Sequence, residues 1–324
     1  MQTSNGVKIL ITGITGFVGS YLAEYCLAKK GAKVYGTMLA GEKFQGTKQI
    51  KDKIGFFQCN LTDQGAVIRL LKKLRPDKIF HLAALSAVAV SWKSPEQILY
   101  NNILAELNLF DAIRKLKLNP VIHIAGSSEQ YGLVSKKDLP VKEDTPFHPL
   151  SPYAVSKITQ EALAYQYHKS YGLKTVTTRA FNHTGPRRSK QFVISSFAYQ
   201  IAAIERGLQK PVIYTGNLNS WRDFSDVRDV VKAYWLATEK CKFGEAYNVG
   251  SGKTHQIKDV LKILLSFSMV KIKVKQDPEL MRPSDVPILQ CDIAKFRKAT
   301  GWKPKIAFQT TLKDILNYWR KELI

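Results

Sequence analysis

The chain has 324 residues, 45% of them hydrophobic, enough for one large α/β domain or two lobes sharing a core. No run approaches the roughly 20 apolar residues of a membrane crossing, and the start MQTSNGVKILITG lacks the basic region and cleavage site of a signal peptide, so no membrane partner and a cytoplasmic location are expected. Lys and Arg number 49 against 26 Asp and Glu, but the lysines are scattered through KQIKDK, LKKLRP, VSKKD, KIKVKQ and KFRKATGWKPKI without a zinc-finger, RRM or basic-zipper pattern, which argues against a nucleic-acid partner and leaves a field that would attract a phosphorylated small substrate.

In chain order, VKILITGITGFVGSYLAEYCLAKKGAKVYGT (7–37) reads as strand, glycine turn, helix and strand. Val7 to Ile11 is a β-branched run suited to a buried parallel strand, Tyr21, Leu22, Tyr25 and Leu27 mark a helix, and Gly31 ends it. The alternation continues. IGFFQCNLTD is a strand and turn, QGAVIRLLKKLRP a helix stopped before Pro76, and DKIFHLAAL a strand. NNILAELNLFDAIRKL is a helix, PVIHIAGSSEQYG a strand, SPYAVSKITQEALAYQYHKSYG a helix, and KTVTTRAFNHTGP a strand. This predicts a Rossmann-like, doubly wound parallel sheet.

After Pro186 the texture changes. VISSFAYQIAAIERG and IKDVLKILLSFS read as helices, while SDVRDVVKAYWLATEK and GEAYNVGSG supply one more helix and strand for the sheet. The expected division is 1–181 with 223–250 as a dinucleotide-binding domain, and 182–222 with 251–324 as a smaller C-terminal α/β substrate lobe. Cys26, Cys59, Cys241 and Cys291 form no CxxC pair and have no histidine at metal spacing, so they are expected to be reduced packing residues, with no metal.

Two constellations carry chemistry. Gly13, Gly16 and Gly19 stand three apart between strand and helix, where glycine lets backbone approach a ligand and the helix N-terminus favours a pyrophosphate. Met38 and Leu39, rather than an acid, stand at the end of the second strand in VYGTMLAGEKF, which points to NADP(H), with NAD(H) as the alternative. In SPYAVSK, Ser151 and Pro152 start a helix, and Tyr153 and Lys157 share one face. The lysine is expected to lower the phenol's pKa, making Tyr153 a proton donor near neutral pH, with Ser127 at a strand end bridging to a substrate oxygen. His81 and His123 read as core residues, and His183 as the one histidine worth testing for substrate contact.

With these motifs, HLAA (81–84), NN (101–102), SSEQYG, RAFNHTGP, RDFSDVRDVV, RPSDVP and TGWKP appear in an order that resembles the extended short-chain dehydrogenase/reductases, in their nucleotide-sugar-modifying branch. Within that branch the chain is most similar to GDP-4-dehydro-6-deoxy-D-mannose reductases, then to GDP-mannose 4,6-dehydratases. The resemblance implies a cofactor site of Gly13, Gly16, Phe17, Val18, Gly19, Asn60, Leu61, Leu82, Ala83, Ala84, Asn102, Tyr153 and Lys157. It implies a GDP-sugar substrate held by Ser86, Ser128, Asn182, Val193, Arg222, Arg282 and Asp285, and a homodimer built on the helices around 101–116 and 151–172.

Glu129 falls where the resemblance places a dehydratase base. However, MLAGEKF replaces the arginine–serine segment of the GDP-mannose dehydratases, and Ser127 replaces their threonine. The implied reaction is therefore reduction of a C4 ketone by Ser127, Tyr153 and Lys157, with 4,6-dehydration using Glu129, or C4 epimerisation, as alternatives. A reading from another class is a non-catalytic member of the fold that binds RNA or protein through its basic surface.

Overall fold

The structure is a computed structural model, and it describes residues 6–44, 46–281 and 285–323. A seven-stranded, wholly parallel sheet is built from β1 (Lys8–Thr12), β2 (Lys33–Met38), β3 (Gly55–Gln58), β4 (Lys78–His81), β5 (Val121–Ser127) and β6 (Lys174–Ala180), with β10 (Ala246–Val249) at one edge. The order is β3-β2-β1-β4-β5-β6-β10. The winding reverses between β1 and β4, which opens a crevice at their carboxyl ends, where open α/β sheets bind ligands.

Side-chain alternation along the strands sorts the helices onto two faces. Leu10, Ile79, Ile122 and Ile124 pack with α2 (Gln64–Leu74), α4 (Pro95–Lys115) and α5 (Pro152–Tyr171). Ile9, Ile11 and Phe80 face the other way, onto α1 (Phe17–Leu27) and α7 (Val227–Lys240). Two caps fix where α5 runs. The Ser151 hydroxyl accepts the Ala154 N–H at 3.1 Å ahead of Pro152, and Gly172 closes the helix at φ 72°. α4 starts earlier than the sequence pattern, because Pro95 suits the first helical position. A single-turn helix, α3 (Val88–Ser91), fills the loop between β4 and α4.

The second body of structure centres on β9 (Trp221–Asp226), which pairs with β7 (Asn182–Thr184), β11 (Thr254–Gln256) and β13 (Ile288–Leu289). β8 (Val212–Thr215) and β12 (Lys273–Gln276) form a separate two-stranded sheet. α6 (Val193–Glu205), α8 (Ile257–Ser266) and α10 (Phe308–Glu322) enclose its core around Ile201, Leu261 and Leu312, and α9 (Ala294–Thr300) packs beside β10. The four cysteines are buried and free. Among the described residues, no helix is long and apolar enough to cross a membrane and no cluster of His, Cys, Asp or Glu could hold a metal.

Candidate active site

The glycine turn lies at the β1–β4 crevice. Gly13 sits at φ 66°, and a Cβ there would come 3.0 Å from the Ala83 Cα. A Cβ on Gly19 would lie 2.3 Å from the Gly13 carbonyl oxygen, so α1 packs directly on the turn. Gly16 caps α1 without a side chain, leaving the first-turn amides around Phe17, Val18 and Gly19 uncovered by any capping group. This cradle of close backbone and uncapped helix start fits a pyrophosphate. Thr12 braces it, its hydroxyl accepting the N–H groups of Leu82 and Ala83 at 3.1 Å each. Leu82, Ala83 and Ala84 therefore run beside the turn.

Several predicted cofactor residues are committed to local structure. Asn102 is fully buried, and its amide links Leu85 on both backbone groups to the Ser156 hydroxyl, tying the 82–86 segment, with exposed Ser86, to α5. The exposed Asn60 uses its side-chain oxygen on Thr62 N–H and hydroxyl, and the Leu61 side chain is in the core. No acid ends β2, but Glu42 reaches back and accepts the Thr15 hydroxyl at 2.7 Å, setting a carboxylate against the glycine turn.

Ser127 ends β5, and its oxygen accepts the Glu129 N–H at 3.2 Å while its own N–H goes to the Gln130 side chain at 2.8 Å. That turn buries Ser128 and leaves Glu129 half-buried. Tyr153 and Lys157 follow on the first turns of α5, 8% and 4% exposed. The Lys157 ammonium donates to the Ala125 carbonyl and the Gln160 side chain, both at 2.8 Å, and stands 5.8 Å from the Tyr153 ring centre.

The expected acidification of the phenol by this lysine is not found. Burial pushes Tyr153 up to about 12, against the opposing pull of the Ser127 hydrogen bond and the Arg188 charge, with Glu129 raising it further. The ammonium is turned toward carbonyl oxygens, and burial brings Lys157 itself down to about 8. Tyr153 is thus held as a neutral acid.

Arg188 is the residue that the sequence reading missed. Its guanidinium stacks 3.4 Å over the Phe192 ring and lies 4.8 Å from that of Phe17, and its buried Nε has no hydrogen-bond partner among the described residues. Burial brings it down to about 10, with Tyr153 and Tyr234 pulling the other way. The doubled arginine after FNHTGP was the available signal. Its neighbour Arg187 is held by Glu24 at 2.7 Å. His183 stacks on Phe17 and bonds the Phe181 carbonyl, and burial brings it down to about 4. His81 and His123 are core residues, both pushed to about 3 by burial.

In the second body of structure, Asn182 begins β7 and Val193 opens α6, 38% exposed. Arg222 is bound by Asp285 at 2.6 Å, and Asp285 also accepts from Ser220 and Asn217. These two predicted substrate residues therefore form one ion pair. Arg282 lies outside the described residues.

A family model described as GDP-mannose 4,6 dehydratase matches residues 10–315. The GDP-6-deoxy-D-mannose reductase of Pseudomonas aeruginosa is 31% identical, with 98% of each chain covered. A GDP-mannose 4,6-dehydratase of Yersinia enterocolitica is 32% identical over 95% of this chain and 92% of its own. Among solved structures, RMD from Pseudomonas aeruginosa complexed with NADPH superposes with a TM-score of 0.84 at 30% identity, covering 98% of this chain and 99% of that one. The UDP-glucose 4-epimerase of Thermus thermophilus in complex with NAD gives 0.86 at 31% identity, covering 97% and 99%.

Proposed function

This chain belongs to the GDP-mannose 4,6 dehydratase family, in the nucleotide-sugar branch of the extended short-chain dehydrogenase/reductases, and from that premise we propose that it reduces the C4 ketone of a GDP-4-keto-6-deoxy-hexose. The observation that carries the reading is Tyr153, a buried phenol kept protonated beside Ser127 at a strand end. A neutral phenol is a proton donor, which is what ketone reduction requires.

In this reading Gly13, Gly16, Gly19 and the start of α1 hold the cofactor pyrophosphate, with Phe17, Val18 and Leu82 to Ala84 along its length and Lys157 at a ribose. The nicotinamide supplies a hydride to C4 when bound. The Ser127 hydroxyl orients the ketone oxygen, Tyr153 gives that oxygen its proton, and the charges of Lys157 and Arg188 stabilise the tyrosinate left behind. We assign the cofactor to 1–181 with 223–250, and the nucleotide sugar to 182–222 with 251–324. Asn182 and Arg222 then face the diphosphate, Asp285 the ribose hydroxyls, Val193 the base, and Ser86 and Ser128 the sugar.

The absence of an acid at the end of β2 supports NADP(H), whereas Glu42 against Thr15 supports NAD(H), because a carboxylate there repels a 2′-phosphate. Fluorescence titration with NADPH and NADH, before any substrate is added, decides between them.

Glu129 supports a second reading, 4,6-dehydration, since it stands half-buried within electrostatic reach of Tyr153. The test mixes the protein with GDP-4-keto-6-deoxymannose and either reduced nicotinamide, and follows the nicotinamide absorbance. Loss of absorbance with formation of a GDP-deoxyhexose is expected. Product from GDP-mannose with only trace cofactor would instead establish the dehydratase, and interconversion of C4 epimers without net cofactor change the epimerase.

A further inference from the structure

Glu106 is a buried acid that the chemistry above leaves unused. It is on α4, one turn beyond Asn102, and is 0% exposed. Neither carboxyl oxygen has a hydrogen-bond partner among the described residues. An isolated carboxylate in such a place is strongly disfavoured unless a charge compensates it.

The two helices bring one candidate for that role. Asn102 meets Ser156 across the α4–α5 seam, so Glu106, one turn on, is set beside Gln160. Gln160 is already tied at both ends. Its Nε2 donates to the Asn102 carbonyl at 3.0 Å, and its Oε1 accepts from Lys157 at 2.8 Å.

The other titratable groups around the compartment are neutral or engaged. His81 on β4 and His123 on β5 stay uncharged, and Glu161 on α5 is paired with Arg179 of β6. Burial raises Glu106 well above the usual carboxylate range, with Lys157 as the largest opposing influence and the Gln160 amide next. In turn, Glu106 is what opposes the loss of the Lys157 proton.

We infer that Glu106 is a positioning residue acting through Lys157, the acid that gives up its proton in place of the ammonium as pH rises in the buried space behind Tyr153. Lys157 thereby keeps a donor for Tyr153 and a cofactor ribose while its other bonds go to Ala125 and Gln160.

The inference rests on the proposed reductase for its kinetic readout. In E106Q the alkaline fall-off of turnover should move down by about one pH unit or more, while E106D, which keeps the charge, should stay near the unmodified protein. A profile for E106Q that superimposes on the original after scaling overturns the inference, as does an E106D profile displaced as far as that of E106Q.

Melting temperatures of the unmodified protein, E106Q, K157M and the double variant from pH 5 to 9 read the same pair without substrate. K157M should lose more stability at pH 8 than at pH 5, and adding E106Q should restore it. Additive effects overturn the inference whether or not turnover is found. Restoration in a protein that never reduces the keto-sugar keeps the Glu106–Lys157 pair and overturns the reductase reading instead.

Discussion

Burial, more than pairing, sets the protons of this cleft. Tyr153 is pushed up to about 12, so it enters the proposed reaction as a neutral acid. Y153F removes the proton donor and little volume. Turnover should fall by about 10²- to 10⁴-fold, while nicotinamide binding by fluorescence changes less than about threefold. Unchanged turnover would exclude Tyr153 as the acid. The same burial keeps His81 and His123 near 3 in the folded chain, against about 6.5 when unfolded. Between those values the unfolded chain binds more protons, so stability is lost as pH falls from about 6.5 toward 3. Among the described residues His123 leaves Nδ1 without a hydrogen-bond partner, while its Nε2 meets the Thr178 hydroxyl at 2.9 Å. H123F should cost about 1 kcal/mol at pH 7 by removing the hydrogen bond to the Thr178 hydroxyl, yet its melting temperature should drop less than the parent's between pH 7 and pH 4. Parallel melting curves would remove His123 from the acid response.

Among the elements, the turn from β1 into α1 leaves no room for an added side chain at Gly19. In G19A the new methyl would lie 2.3 Å from a backbone oxygen and 2.8 Å from the Ile14 Cα, so α1 must move off the turn. We expect a stability loss of about 2 kcal/mol or more together with at least tenfold weaker nicotinamide binding. G172A is the contrast, because Gly172 has φ 72° but nothing within 4 Å. It should lose about 1 kcal/mol of stability and bind cofactor normally. Equal cofactor affinity in G19A and G172A would separate the turn from the cofactor. These elements were legible in the sequence because their determinants are local: β-branched runs, glycines three apart, and Ser151–Pro152 ahead of a helix. Spacing also brought Tyr153 and Lys157 together, but spacing carries no information about desolvation, which is why the direction of the phenol's shift was misread. Glu106 and the pairing of Arg222 with Asp285 depend on contacts between distant segments, 63 residues apart in the last case, and no local pattern encodes them; the doubled arginine marks Arg188, but not its approach to Phe17 on α1.

For the whole molecule, the sheet order that makes the crevice also sets α4 and α5 side by side on one face, in extensive contact with each other. Their outer surface carries an apolar stretch among exposed polar residues such as Glu96 and Lys169. Tyr100, Val155 and Tyr165 are 63%, 42% and 55% exposed, and Trp92, Pro95, Leu99, Pro152 and Val155 line a cavity of about 450 Å³ at the helix starts. Exposed apolar surface of this kind marks an interaction site, and a second copy of the chain would cover it by pairing the two helices of each subunit. The net charge of +23 opposes that association at long range, and salt screens it over about 10 Å at 0.1 M. The predicted homodimer should therefore sediment as a dimer at 0.15 M salt and dissociate more readily at 0.02 M, the reverse of an interface held by ion pairs. V155K adds a like charge to both sides of the seam and should yield a monomer that still takes up the nicotinamide, since Val155 is exposed on α5, which packs on the sheet face opposite α1. A parent protein that stays monomeric at every dilution, or a V155K protein that sediments like its parent, would place the contact elsewhere and leave this apolar surface to another partner.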